Sequence, residues 1–175
     1  MKAGETERTV SAGKAEQTAI AGKTVGEGLW YEKGLRFRCT QCGNCCSGAT
    51  GIVDFTPREL EIMAEYLNLL PQEFLDRYAR RRRGWWCLKE VFVEGTYDCV
   101  FLRRDPESGR AHCDIYDVRP SQCRTWPFWD ENLRSPGAWR EAGEDCPGIR
   151  NGGADGGAGK LYPLEEIRRI AGKGG

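Results

Sequence analysis

Cys39-Thr-Gln-Cys42-Gly-Asn-Cys45-Cys46 places four thiols within eight residues, and the fold has to be built around what those thiols do. Two-residue spacing lets successive thiolates converge on one metal, because a tight turn after each cysteine brings the sulfurs together. Gly43, between the second and third thiols, permits positive φ and a close backbone approach, so amide N–H groups can be aimed at negatively charged sulfur. Cys45 and Cys46 are adjacent. In extended chain, neighbouring side chains leave on opposite sides, which predicts that one of the pair serves a second site or bridges two metals.

Five further cysteines follow: Cys87, Cys99, Cys113, Cys123 and Cys146. Taken singly, each is equally well read as a small buried apolar residue. Beside the quartet, ligation is the stronger reading for all but Cys87. Nine is an odd number, and nine cysteines in 175 residues fall below the roughly 8–10% of disulfide scaffolds. No apolar run approaches the roughly 18 residues of a spanning helix, and the first residues lack the apolar core of a signal peptide. A cytoplasmic location is therefore expected, where thiols stay reduced and bind metals more often than they pair. The 26 basic and 26 acidic side chains cancel, which disfavours nucleic acid or an anionic membrane as a general partner.

Outward from the quartet the chain divides by composition. Residues 1–29 are rich in Ala, Gly, Thr, Lys and Glu and read as a flexible tail. Residues 30–150 form the cysteine-bearing domain, 151–160 a glycine-rich linker, and 161–175 a short helix and tail. In that last piece Leu164, Ile167 and Ile170 recur at three-residue spacing, as the docking face of a helix. Thr56-Pro57-Arg58-Glu59 carries a helix start, with a Thr56 cap, Pro57 at the first position and Glu59 closing a capping box. Leu60, Met63, Ala64 and Leu67 supply its stripe. Pro71 opens a second helix with Phe74, Leu75 and Tyr78 inward and Arg80 to Arg83 in its last turn. Trp86–Val93 and Thr96–Leu102, broken at Glu94-Gly95, read as a β-hairpin, and Pro106–Gly109 as a turn. The expected fold is a small, loop-rich α+β domain, with a helical hairpin and a short antiparallel β-hairpin gathered around a metal centre and one hydrophobic core.

The ordered series Cys39-x-x-Cys42-x-x-Cys45-Cys46, Asp54-Phe55-Thr56-Pro57, Cys99-Val-Phe-Leu102, Cys113-Asp-Ile-Tyr116-Asp-Val-Arg119-Pro120-Ser-Gln-Cys123-Arg124-Thr-Trp126-Pro127-Phe128 and Cys146-Pro147-Gly148-Ile149 resembles the YkgJ-type cysteine-cluster family, a zinc- or iron-chelating domain with a CxxCxxCC motif. The resemblance covers about Phe37 to Ile149. It implies an eight-cysteine ligand set of Cys39, Cys42, Cys45, Cys46, Cys99, Cys113, Cys123 and Cys146, and an iron–sulfur or zinc centre. It leaves Cys87 as a buried or free thiol. One relative in this family is the flagellin lysine methylase, in which the domain is part of a longer chain.

The thiolate-only set favours an iron–sulfur cluster over zinc as cofactor, since the single histidine, His112, reads as an exposed turn residue. Three cysteines at two-residue spacing plus a remote Cys-Pro follow the bacterial ferredoxin pattern, which points to [4Fe–4S]. Arg119 and Arg124 are candidates for stabilising a negatively charged cluster from outside its ligand shell, with a turn residue and a solvated side chain as the alternatives. The tryptophans, Trp126 and Trp129 among them, read as the wall that keeps water from the metal. The arginine run reads as a solvated helix end, with phosphate, RNA or an acidic partner as the sharper alternative. No GxSxG, Walker, Rossmann or HExxH pattern occurs. Catalysis would then fall to the metal centre, as in an iron–sulfur oxidoreductase or a methylase-like protein-modifying system. The competing class is a structural zinc adaptor that engages a protein or nucleic-acid partner.

Overall fold

The computed structural model describes residues 28–153 and 159–172. Residues 1–27 of the predicted tail and the middle of the predicted linker lie outside them. Strand β1 (Leu35–Phe37) buries Leu35 and Phe37 and turns Arg36 the other way, as the two-residue period requires. The thiol loop follows, closing in a 3-10 turn over Asn44–Cys46 before β2 (Ser47–Gly48).

Helix α1 (Pro57–Tyr66) starts as its residues predict: the Thr56 hydroxyl accepts the Glu59 N–H, and the Glu59 carboxylate accepts the Thr56 N–H at 2.8 Å. Met63 and Ala64 are buried, and Leu60 and Leu67 pack against the same cluster. Asn68, in the left-handed conformation, ends the helix. Helix α2 (Pro71–Tyr78) buries Phe74, and the Glu73 carboxylate accepts the Leu70 N–H at its start.

The arginine run is not the last turn of α2. Ala79–Arg82 is strand β3, paired antiparallel with β4 (Trp85–Leu88) in the register Arg80 to Cys87 and Arg81 to Trp86. Arg83 and Gly84 both have positive φ, the geometry of a two-residue hairpin turn. The side chains alternate accordingly. Arg80 pairs with Glu90, Arg80 and Arg82 both donate to the Gly51 carbonyl, and Arg81 lies over the Trp86 ring. Arg80 and Arg82 are thus spent on internal contacts, not presented as a cationic helix end.

The expected hairpin is present but shorter. Strands β5 (Glu90–Val93) and β6 (Thr96–Cys99) turn at Glu94-Gly95, both with positive φ, while Trp85–Leu88 belongs to the preceding hairpin. Strand β2 adds to β6 as a third strand. Strands β7 (Leu102–Arg104) and β8 (Ala111–Cys113) flank the turn at Pro106–Gly109. After a 3-10 turn at Tyr116–Val118 come α3 (Ser121–Thr125), α4 (Asp130–Leu133), α5 (Pro136–Asp145) and α6 (Pro147–Gly153).

The predicted linker differs at both ends. Asn151–Gly153 completes α6, and Lys160 opens β9 (Lys160–Tyr162), which pairs with β1. Its glycines serve close packing: a Cβ on Gly159 would stand 2.9 Å from the Gly152 Cα, nearer than backbone and side chain tolerate. Helix α7 (Leu164–Ala171) follows; Ile167 is fully buried and Ile170 packs beside it.

The expected single core is divided in two. Phe55, Met63, Phe74, Leu88, Phe101 and Ile115 form one cluster from the middle of the chain. Leu35, Phe37, Phe128, Trp139, Ile149 and Ile167 form another from its two flanks. Cys99 and Cys113 pack against the first and Cys146 belongs to the second. These three cysteines therefore mark the seam between the two clusters.

Candidate metal centre

Backbone pairing explains how distant cysteines reach the quartet. Ser47 is opposite Asp98 across β2 and β6, so the next antiparallel position brings Cys46 to Cys99. Cys113 is opposite Leu102 across β7 and β8. The Ala111 N–H donates to the Gln41 carbonyl at 2.8 Å, which docks the CxxC loop on β8. Gly43 has φ 81°, and a Cβ there would stand 2.7 Å from the Ala111 Cβ; the glycine is required both for the turn and for this approach. The Asn44 amide donates to the Asp145 carbonyl at 2.8 Å, tying the loop to the residue before Cys146.

Two overlapping groups of thiols result. Cys39, Cys42, Cys45 and Cys146 line one small cavity, closed by Phe37 and Trp126. Cys45, Cys46, Cys99, Cys113 and Cys123 lie close enough for the charge of one to raise the thiol of another. Cys45 is common to both. Cys87 belongs to neither: it is fully buried, with its thiol 3.4 Å from the Arg80 carbonyl.

The backbone at the adjacent pair departs from the extended form expected for it. Cys45 and Cys46 have sulfurs only 3.8 Å apart, because they lie in a 3-10 turn and not in extended chain. The hydrogen bond that Cys46 donates brings the Cys45 thiol down to about 7, and the same bond drives Cys46 up. Burial pushes Cys99 up to about 11 and Cys123 to about 12, and raises Cys113 and Cys146. Most of these thiols are half-buried and Cys39 and Cys45 are exposed; so close a set holds several thiolates together only when a cation neutralises them, which is the condition that metal binding meets. Its chemistry fits a thiophilic metal or an iron–sulfur cluster. Among the described residues, no three Cys, His, Asp or Glu side chains already stand at the spacing of ligands around a single ion.

The outer residues divide. The Arg119 guanidinium lies 3.7 Å over the Tyr116 ring, and its charge lowers Cys45 and Cys113. Arg124 turns away, donating to the Arg119 carbonyl and standing 3.6 Å from Glu59. His112 is exposed on β8, 3.7 Å from Asp114. Trp126 lines the cavity together with Cys146 and meets Trp129 edge to face at 4.8 Å. Sequence reasoning missed Asn44, Gln122 and the second role of Glu59. Gln122 clamps the strand before α1, accepting from the Asp54 N–H and donating to the Ile52 carbonyl. Glu59 accepts the Ser121 N–H at 2.6 Å. The signal for Asn44 and Gln122 was only that each adjoins a cysteine, and the tie from Glu59 to Ser121 had no local signal beyond the capping box.

Fold and site define a cysteine-rich α+β metal-binding domain. The chain belongs to the CxxCxxCC family, described as "Putative zinc- or iron-chelating domain", which matches residues 38–147. It is similar to an uncharacterized protein, MJ0661, of Methanocaldococcus jannaschii, with 35% identity over 99 residues, 56% of this chain and 48% of that protein. The chain thus spans about half the length of that relative. No solved structure matches. Among the described residues, no helix is long and apolar enough to cross a membrane.

Proposed function

We propose that the protein holds a [4Fe–4S] cluster on Cys39, Cys42, Cys45 and Cys146 and acts in electron transfer or a redox modification. The observation that carries this reading is the single cavity lined by those four thiols. Three come at ferredoxin spacing and the fourth is a remote Cys-Pro. When bound, the cluster supplies one-electron chemistry. Phe37 and Trp126 wall the cavity on its apolar side, and Arg119 offsets negative charge at Cys45. Cys46, Cys99, Cys113 and Cys123 remain as a second four-thiolate set.

One observation favours a second reading, a structural zinc adaptor. Tetrahedral thiolates at 2.3 Å from zinc stand about 3.8 Å apart, which is the Cys45–Cys46 separation, so the pair would share one ion. Absorption spectra with iron, zinc and sulfide analysis of protein purified without oxygen separate the two. Brown protein bleached by dithionite supports the cluster; colourless protein with stoichiometric zinc overturns it.

A further inference from the structure

Away from the thiols, on the outer side of β1 and the α5–α6 corner, the surface opens into a cleft of about 590 Å³, within the size range of small-molecule sites. Its floor is apolar and firmly held. Trp139 is buried and stacked on Phe128 at 5.8 Å, and Leu35 and Ile149 are buried beside it. Trp30 forms one wall, 6.4 Å from Trp139, its ring fixed by the hydrogen bond it donates to the Leu133 carbonyl at 2.8 Å. The rim is cationic: Arg36, Arg140 and Arg150 all line the cleft. None of the three has an ion-pair partner among the described residues. Arg36 is held in place by donating to the Gly159 carbonyl at 2.9 Å, which leaves its other N–H groups available. The one carboxylate on the rim is Glu144.

We infer that this cleft binds a nucleoside phosphate, with its base against Trp30 and Trp139, its phosphates on Arg36, Arg140 and Arg150, and a sugar hydroxyl donating to Glu144. Each feature selects one part of that ligand. Unpaired guanidinium forks match phosphate oxygens. A fixed indole offers a stacking face to any base. A lone acceptor among donors is unfavourable for a simple anion and favourable for a hydroxyl-bearing one. The cleft contains no cysteine, so its occupancy is read independently of the metal.

The full-length, metal-loaded protein is titrated with ATP, adenosine or inorganic tripolyphosphate, following tryptophan fluorescence and heat. Saturable ATP binding, at least about tenfold tighter than either fragment, is expected. Arg140→Ala and Arg150→Ala each weaken it about tenfold or more, the scale of a lost charged hydrogen bond. Both side chains are exposed, so metal content and thermal transition stay unchanged. Equal binding of tripolyphosphate would reduce the cleft to an anion patch, and equal binding of adenosine would make the arginines irrelevant. Either result overturns the inference, as does failure of ATP to saturate at millimolar concentration or undiminished binding by the variants.

Discussion

The Glu59 carboxylate accepts the Ser121 N–H at 2.6 Å, joining the start of the first helix to the start of the helix that carries Cys123. The same carboxylate closes the capping box with Thr56. One side chain therefore serves helix initiation and ligand placement together. Glu59→Gln is expected to cost about 1–2 kcal/mol at neutral pH, the scale of weakened hydrogen bonds to a charged acceptor, measured by urea unfolding.

That tie has a pH signature. Burial pushes the Glu59 carboxyl up, but the N–H donors of Thr56 and Ser121 outweigh it and hold the group below its ordinary 4.5. A depressed carboxylate contributes stability that is complete above its unfolded value and lost as pH falls through the folded one. Tm should fall on acidification below about 4.5, and less steeply in Glu59→Gln.

Among the cysteines, Cys39→Ser and Cys146→Ser are expected to abolish the visible absorption of the cluster. Cys99→Ser and Cys123→Ser should retain it and lower the metal count only at the second set. Cys87→Ala should keep all metal and cost about 1 kcal/mol for the small cavity it leaves. Loss of metal in Cys87→Ala would remove the distinction between the eight and the ninth.

Asn44 supplies no ligand atom, yet its amide links the thiol loop to Asp145. Asn44→Ala should weaken metal retention by about 10–100-fold, the usual effect of residues that orient ligands. A competition titration with a chelator reads it directly.

Metal removal should loosen the molecule most at the seam between its two apolar clusters. Structural zinc in small peptides contributes about 10–16 kcal/mol, so the chelated form is expected to lose its cooperative thermal transition. An unchanged transition after chelation would mean that the clusters hold each other without metal.

Local chemistry made much of this legible in sequence. Thr56 and Glu59 specify a helix start within four residues, Glu94-Gly95 a hairpin turn, and Gly43 a positive φ. Ile167 announces a docked face by its spacing. What could not be read depends on partners far along the chain or on weak local signals. Arg80–Arg82 form a strand because Cys87 and Trp86 lie opposite, and Arg83-Gly84 is a less familiar turn pair than Asn-Gly. Nothing near Lys160 indicates that it pairs with Phe37. The extended backbone expected at Cys45 and Cys46 is instead a 3-10 turn, which sets their sulfurs 3.8 Å apart. The site's membership comes from motif order, but its division into two overlapping groups emerges only from β2 meeting β6 and from Asn44 meeting Asp145.

The two clusters also differ in when a growing chain can complete them. Phe55 through Ile115 are adjacent in sequence and can assemble as soon as that stretch has been synthesised. The other cluster waits for Cys146, Ile149 and Ile167, near the C-terminal end of the described residues. The cavity lined by Cys39, Cys42, Cys45 and Cys146 therefore stays open on the ribosome until Cys146 and the helices around it have emerged, which leaves a route for metal entry open while the first cluster is already assembling.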